Sequence, residues 1–187
     1  MLETKTVIEI INHLKSKDLS IKEVIEYYLN NIEKLNPKIN SIVSIKNKEE
    51  IIEDAEKKSN TKFFGLPIAI KDLSDVVGFP TTYGYPGTKN YIPSKNSLFV
   101  DKLLEAGITI IGKTNTAELG VGGQTTNRLF GPTSNVYNVS KCAAGSSGGA
   151  STAVASGMLP FADGTDQMGS CRAVSYTHLT LPTSFLV

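Results

Sequence analysis

The stretch FGLPIAIKD at residues 64–72, followed by SLFVDKLLE at 97–105 and ITIIG at 108–112, decides the fold class of this 187-residue chain. The first and last segments are short apolar runs bounded by glycine, which is typical of buried strands. The middle segment carries apolar residues at helical spacing. Because strands and helices alternate between Gly/Pro turns, the sequence predicts a layered α/β fold.

The first sixty residues predict a mainly helical flank to this sheet. Apolar periodicity and alternation give helices at 7–14, 21–35, 48–58 and 148–157 and a strand at 39–45. Ser20 and Glu23 form a capping box that starts the second helix, and Pro37 lies just beyond its predicted end. We therefore divide the chain into a helical flank at 1–60 and a catalytic α/β part at 61–172.

Chemistry is concentrated between residues 142 and 172, CAAGSSGGASTAVASGMLPFADGTDQMGSCR. This segment sets two serines, Ser146 and Ser170, in glycine-rich turns on either side of a helix of small residues. Upstream, Lys71 ends an apolar strand, where desolvation could keep its amine neutral and basic. A base, a proton relay and a nucleophile together are typical of acyl transfer.

The same residues are also considered as a nucleotide-binding turn and as a metal site. The GSSGG string also fits a flexible linker or a phosphate-binding turn, but it lacks the GK[ST] of a P-loop, and no acidic residue follows at dinucleotide-binding spacing. The two histidines and two cysteines do not have metal-ligand spacing, so no metal or cofactor is expected. Cys142 and Cys171 are interpreted as free thiols in a reducing compartment.

Six motifs in order resemble the amidase signature family, whose members hydrolyse or transfer carboxamides with a Ser–Ser–Lys triad. They are GLPIAIKD (65–72), GFPTTYG (78–84), LLEAGITIIGKTNTAELGVGG (103–123), NRLFGPTSN (127–135), GSSGGAS (145–151) and GTDQMGSCR (164–172). The resemblance covers nearly all of residues 1–172. It implies the layered amidase-signature fold, a mixed sheet flanked by helices.

The resemblance implies a role for each triad residue. Lys71 matches the lysine base, Ser146 the bridging serine and Ser170 the nucleophile that forms an acyl-enzyme. It also implies a cis peptide bond before Ser146. Ser147 is expected to be a hydrogen-bond partner of the relay, with an exchange of roles between Ser146 and Ser147 as the alternative.

The turn before the nucleophile is expected to stabilise the oxyanion. Backbone N–H groups of Gln167, Met168 and Gly169 can point at the developing charge. Asp166 and Arg172 are expected to brace this turn. Family members usually carry two glycines where this chain has Met168-Gly169, which puts the substrate fit in question, because methionine cannot adopt positive φ as cheaply as glycine.

The leading functional hypothesis is an amidohydrolase that cleaves a small, linear carboxamide in the cytoplasm. The first alternative is the A subunit of the glutamyl-tRNA(Gln) amidotransferase, which releases ammonia from glutamine. The second is a non-catalytic fragment or binding module. A net charge of +1 and the lack of a membrane-length apolar span give no reason to expect nucleic-acid or membrane partners. A homodimer is expected for the full-length protein.

The last fifteen residues differ in character from the rest. The sequence AVSYTHLTLPTSFLV at 173–187 contains no charged residue, no glycine, no isoleucine and no asparagine. One interpretation is a closing strand. VSYTHLTLPT is, however, similar to a translated sequencing adapter, so we expect 173–187 to be a non-native tail on the N-terminal part of a longer amidase domain. Such a truncated chain is expected to be inactive.

Overall fold

The computed structural model describes Leu2 and residues 5–178, except the side chains of residues 175 and 176. In this part of the chain, six α-helices and three β-strands form the predicted α/β fold. In chain order they are α1 (Val7–Ser16), α2 (Ile21–Ile39), β1 (Ile42–Ile45), α3 (Lys48–Glu56), β2 (Pro67–Lys71), α4 (Leu98–Glu105), β3 (Thr109–Thr114), α5 (Gly148–Ala155) and α6 (Arg172–His178).

The sheet is mixed, with β3 at its centre. β1 pairs with β3 in the antiparallel direction, and β2 pairs with it in the parallel direction. Helix α4 makes the crossover between the two parallel strands. Every residue of β2 and β3 is buried, which fits the apolar run PIAI in β2 and the isoleucine pair of β3. Lys71, the last residue of β2, lies opposite Thr114.

Two hydrophobic cores cover the two faces of this sheet. Because side chains alternate along a strand, Ile68 and Ile70 of β2 face one core while Ala69 faces the other. The core on the Ile68 side includes Val100 of α4. The core on the Ala69 side includes residues from α2, α3 and α5, among them Ile25, Ile32, Ile51 and Ala153. The helical flank thus completes one face of the sheet.

The capping box of α2 has the predicted geometry, but the end of this helix does not. Ser20 Oγ accepts a bond from the Glu23 backbone N–H at 3.2 Å, and the Glu23 carboxylate accepts one from the Ser20 N–H at 2.8 Å. The expectation that the helix ends before Pro37 was wrong, because Pro37 lies inside the last turn. Asn40, in the left-handed region with φ 58°, ends the helix instead. The strand therefore begins at Ile42 rather than Ile39.

The chain after Ser170 forms a helix as far as it is described. Helix α6 lies against α5, where Ser151 Oγ donates to the Val174 carbonyl at 3.2 Å. The closing strand considered from sequence is therefore not seen at 173–178, and 179–187 lie outside the described residues. No helix in the described part of the chain combines the length and apolarity needed to cross a bilayer.

Candidate active site

Lys71 carries the buried amine of the candidate site. The strand β2 brings its side chain to the N-terminal end of α5, where the residue is completely buried. Its Nζ lies 2.8 Å from Ser146 Oγ, 2.7 Å from Ser147 Oγ and 2.9 Å from Thr165 Oγ1. Burial lowers the pKa of the Lys71 amine from 10.5 to about 8, although the nearby Cys171, Asp163 and Asp166 oppose this change.

Ser146 lies between this amine and Ser170. The Gly145–Ser146 peptide bond is cis, as the family resemblance implied. Ser146 is 1% exposed, and its Oγ is 2.9 Å from Ser170 Oγ. Ser170 itself is only partly buried. The three polar groups therefore form a continuous hydrogen-bonded line from the protein interior towards the surface.

Ser147 lies beside this line. Its Oγ donates to the Thr165 carbonyl at 3.2 Å, so its only hydrogen is engaged there and it accepts a bond from Lys71. Ser146, rather than Ser147, is the serine placed within hydrogen-bond distance of Ser170 in this geometry.

Asp166 organises the turn that carries Ser170. Its carboxylate accepts bonds from the backbone N–H groups of Gly169 at 2.7 Å and Cys171 at 3.1 Å, and it pairs with the Arg172 guanidinium at 3.1 Å. The Arg172 guanidinium, followed by the Gly169 N–H, holds the pKa of the Asp166 carboxyl well below its usual range. Asp166 and Arg172 thus contact the nucleophile turn where a bracing pair is expected.

The turn needs positive φ at Gly169 (97°) and not at Met168. Methionine at position 168 therefore does not strain the backbone. The Met168 side chain is 93% exposed. Of the three predicted oxyanion donors, the Gly169 N–H already donates to the Asp166 carboxylate. The Gln167 and Met168 N–H groups do not bond to Asp166.

Two further residues approach Lys71, and neither was assigned a role from sequence. Thr165 contacts the amine directly, and Asp163 Oδ1 accepts a bond from the Lys71 backbone N–H at 2.7 Å. Both lie in or beside the string GTDQMGSCR, so proximity to the motif was the available signal. Burial raises the pKa of the Asp163 carboxyl.

A second buried lysine, Lys113 on β3, has a different environment. Its Nζ lies 2.7 Å from the Ser74 carbonyl oxygen, to which it donates, and 3.5 Å from the Asp72 carboxylate. Lys113 thus has a counter-ion and no serine relay. Among the described residues, no group of three His, Cys, Asp or Glu side chains is arranged to hold a metal ion.

The sequence matches the profile of the Amidase family over residues 23–177. The chain belongs to the amidase family. An acylamidase from Rhodococcus erythropolis is 40% identical over 175 residues, which cover 89% of this chain and 36% of that protein. The A subunit of the glutamyl-tRNA(Gln) amidotransferase of Methanosarcina barkeri is 41% identical over 162 residues, covering 84% of this chain and 33% of that relative.

The fold agrees with this assignment. The crystal structure of a bacterial aryl acylamidase of the amidase signature family superposes with a TM-score of 0.86 at 32% identity, covering 93% of this chain and 38% of that one. The chain therefore spans about a third of the length of the curated amidase-family relatives that it matches.

Proposed function

We propose that the full protein hydrolyses a carboxamide through Lys71, Ser146 and Ser170. The full protein is the product of the native reading frame that contains residues 1–172, and it is called the native gene product below. The observation that carries this proposal is the unbroken line of contacts from a buried amine of lowered pKa, through one hydroxyl, to a partly buried hydroxyl. Membership of the amidase family supports amide chemistry in general.

The contacts of Lys71 fit a neutral amine that acts as a base. A neutral lysine has two N–H donors and one lone pair. Ser147 must accept one N–H, because its own hydrogen bonds to the Thr165 carbonyl, and the Thr165 hydroxyl is placed to accept the other. In the structure Ser146 Oγ donates to Ser170 Oγ, so in the reacting state Ser146 turns its hydrogen to the remaining lone pair of Lys71 and accepts the hydrogen of Ser170.

The proposed reaction has two halves. Ser170 Oγ attacks the amide carbon while its proton passes to Ser146 and the Ser146 proton passes to Lys71. The C–N bond then breaks, and the departing amine takes the proton back through Ser146, leaving an acyl group on Ser170. In the second half, water attacks the acyl carbon while its proton passes through Ser146 to Lys71. The ester bond to Ser170 Oγ then breaks, the proton returns along the same line to Ser170 Oγ, and the carboxylic acid leaves.

Backbone donors are proposed to stabilise the negative oxygen of the intermediate. The Gln167 and Met168 N–H groups are our principal candidates, and the Gly169 N–H would join them only by leaving the Asp166 carboxylate. Asp166 and Arg172 fix the turn so that these donors need little reorganisation.

We propose a small, linear carboxamide as the substrate and the cytoplasm as the location, with no nucleic-acid or membrane partner and a homodimer for the native gene product. Relatives include both an acylamidase and amidotransferase A subunits, so the second activity, release of ammonia from glutamine, is the outcome to test beside the first.

The test is trapping of the acyl-enzyme on the native gene product. A panel of linear amides, with glutamine included, should give amine or ammonia release and an acyl adduct at Ser170 by mass spectrometry. Ser170→Ala should abolish both signals, while Ser94→Ala, at an exposed serine, should retain them. Turnover that persists in Ser170→Ala would overturn the proposal.

A further inference from the structure

Helix α5 begins at a serine whose hydroxyl does not cap it. Ser147 occupies the N-cap position, where a serine oxygen normally accepts a bond from a backbone N–H of the first turn. Its side chain makes no such bond and is directed to Lys71 and the Thr165 carbonyl. The start of α5 therefore needs another acceptor.

Thr125, from a distant loop, supplies this acceptor. Its Oγ1 accepts a bond from the Gly148 backbone N–H at 2.8 Å and donates to the Ala144 carbonyl at 3.0 Å. A hydroxyl carries one hydrogen and two lone pairs, so both bonds form together. One fully buried hydroxyl thus joins the residues on either side of the turn that contains Ser146 and Ser147.

The turn and Thr125 are held closely together. The Thr125 N–H donates to the Ala143 carbonyl at 3.2 Å, and the Thr125 carbonyl accepts from the Thr133 N–H at 2.9 Å. A Cβ at Gly145 would lie 2.7 Å from the Gln124 carbonyl carbon, and a Cβ at Gly148 would overlap the Thr125 hydroxyl. The two serines consequently have little room for another arrangement while Thr125 is in place.

We propose that Thr125 is a positioning residue of the relay: by capping α5 in place of Ser147 and holding the Ala144 carbonyl, it keeps the hydroxyls of Ser146 and Ser147 on Lys71. This inference rests on the proposed function. Without the Thr125 hydroxyl, the Gly148 N–H and the Ala144 carbonyl lose their shared partner, and the turn between them is less restrained. The N–H groups of Gly149 and Ala150 can then compete for the Ser147 oxygen, so that Lys71 loses an acceptor.

The test compares Thr125→Val, which removes the hydroxyl but keeps the shape, with Thr125→Ser, which keeps the hydroxyl. Thr126→Val, at the exposed neighbouring residue, is the matched control. The rate of acyl-enzyme formation is measured against pH on the native gene product, per folded molecule. Thr125→Val should lower the high-pH plateau about tenfold or more, whereas Thr125→Ser and Thr126→Val should stay within about threefold of wild type.

The pH profile separates positioning from general loss of structure. Ser147 Oγ accepts an N–H of Lys71 and so favours the charged form of this lysine. If Thr125→Val draws Ser147 away, the pKa of Lys71 should fall, and the acid limb of the profile should move to lower pH. A Thr125→Val rate within about threefold of wild type, an equal fall in Thr125→Ser, or a fall with an unmoved acid limb would each overturn the inference.

Two more variants keep the result decisive. If Thr125→Val does not fold, Ser147→Ala removes the hydroxyl that Thr125 is proposed to direct, and it should give the same fall and the same displacement of the acid limb. A wild-type profile in Ser147→Ala would then overturn the inference. Ser170→Ala tests the proposed function separately: if it retains turnover the proposed function fails, and if it is inactive while Thr125→Val resembles wild type, only the Thr125 inference fails.

Discussion

Lys71 and Lys113 are buried lysines on neighbouring strands whose partners differ. Lys71 contacts three hydroxyl groups, whereas Lys113 faces the Asp72 carboxylate. A hydroxyl cannot neutralise an ammonium charge, so burial acts on Lys71 without a directly paired counter-ion. The two positions should therefore respond differently to loss of the amine.

Lys71→Ala should lose activity and keep its fold. Without the base, proton transfer from Ser146 has no acceptor, and we expect the rate of acyl-enzyme formation to fall by about 10²–10⁴-fold. Thermal unfolding of the native gene product should remain cooperative. Near-wild-type turnover in this variant would contradict the assignment of the base.

Lys113→Met, in contrast, should lower the stability of the fold. The change leaves the buried Asp72 carboxylate without its cation, which typically lowers the free energy of unfolding by about 3–5 kcal/mol. Urea unfolding of Lys113→Met beside Lys15→Met, at an exposed lysine, measures the difference. Equal stability of the two variants would show that the Asp72–Lys113 pair is not the stabilising contact assigned to it.

Met168→Gly tests the one departure from the family pattern at the nucleophile turn. Because Met168 does not have positive φ, glycine relieves no strain, and the variant should fold and stay active. Removal of an exposed side chain beside Ser170 should change mainly the range of acyl groups that the enzyme accepts. Assays over a series of acyl chain lengths measure this, and a large gain in rate on every substrate would contradict it.

At the scale of elements, local patterns predicted the strands and most helix starts. The main difference between prediction and structure is the end of α2. Apolar runs located β2 and β3, and the Ser20 capping box located the start of α2. The end of α2 was missed because proline was expected to stop it, while the left-handed residue Asn40 is what does so. Asparagine commonly occupies the left-handed position at a helix end, so Asn40 carried a local signal that the prediction overlooked. Its side-chain bonds to the distant carbonyls of Phe130 and Pro132 could not be predicted locally.

Asn40→Ala and Asn40→Gly separate these two contributions. Alanine meets the steric penalty of the left-handed region and loses both side-chain bonds, so we expect a loss of about 1–3 kcal/mol in the free energy of unfolding. Glycine avoids the steric part and should be less destabilised than alanine. Urea unfolding of both variants measures the order, and glycine equal to or worse than alanine would contradict the account.

In the candidate site, too, sequence motifs identified some residues, while long-range contacts could not be predicted. The motifs led to Lys71, Ser146 and Ser170, which the fold brings together. Their catalytic roles remain predictions. The contacts of Thr125 with Gly148 and of Asp163 with Lys71 could not be predicted, because each joins residues far apart in sequence.

At the scale of the whole molecule, the native reading frame should depart from AVSYTHLTLPTSFLV after about Arg172. Several large apolar side chains are exposed in the described structure, including Leu98, Val121 and Met168 at 76%, 79% and 93%. If later parts of the native protein cover these side chains, the 187-residue chain expressed alone should be poorly soluble and inactive on amides. Sequencing the source locus checks the reading frame. A native stop after Val187, with cooperative unfolding of the purified chain, would contradict this prediction.

The central claim is that buried Lys71 is neutral when it accepts the relayed proton, and the pH dependence of acyl-enzyme formation tests it most directly. Since burial lowers the pKa of Lys71 to about 8, the amine is charged below that pH and cannot accept a proton. Single-turnover rates for the native gene product, with chemistry limiting, should therefore rise with pH through about 8 and then level off. A rate that stays flat from neutral to alkaline pH would contradict the claim.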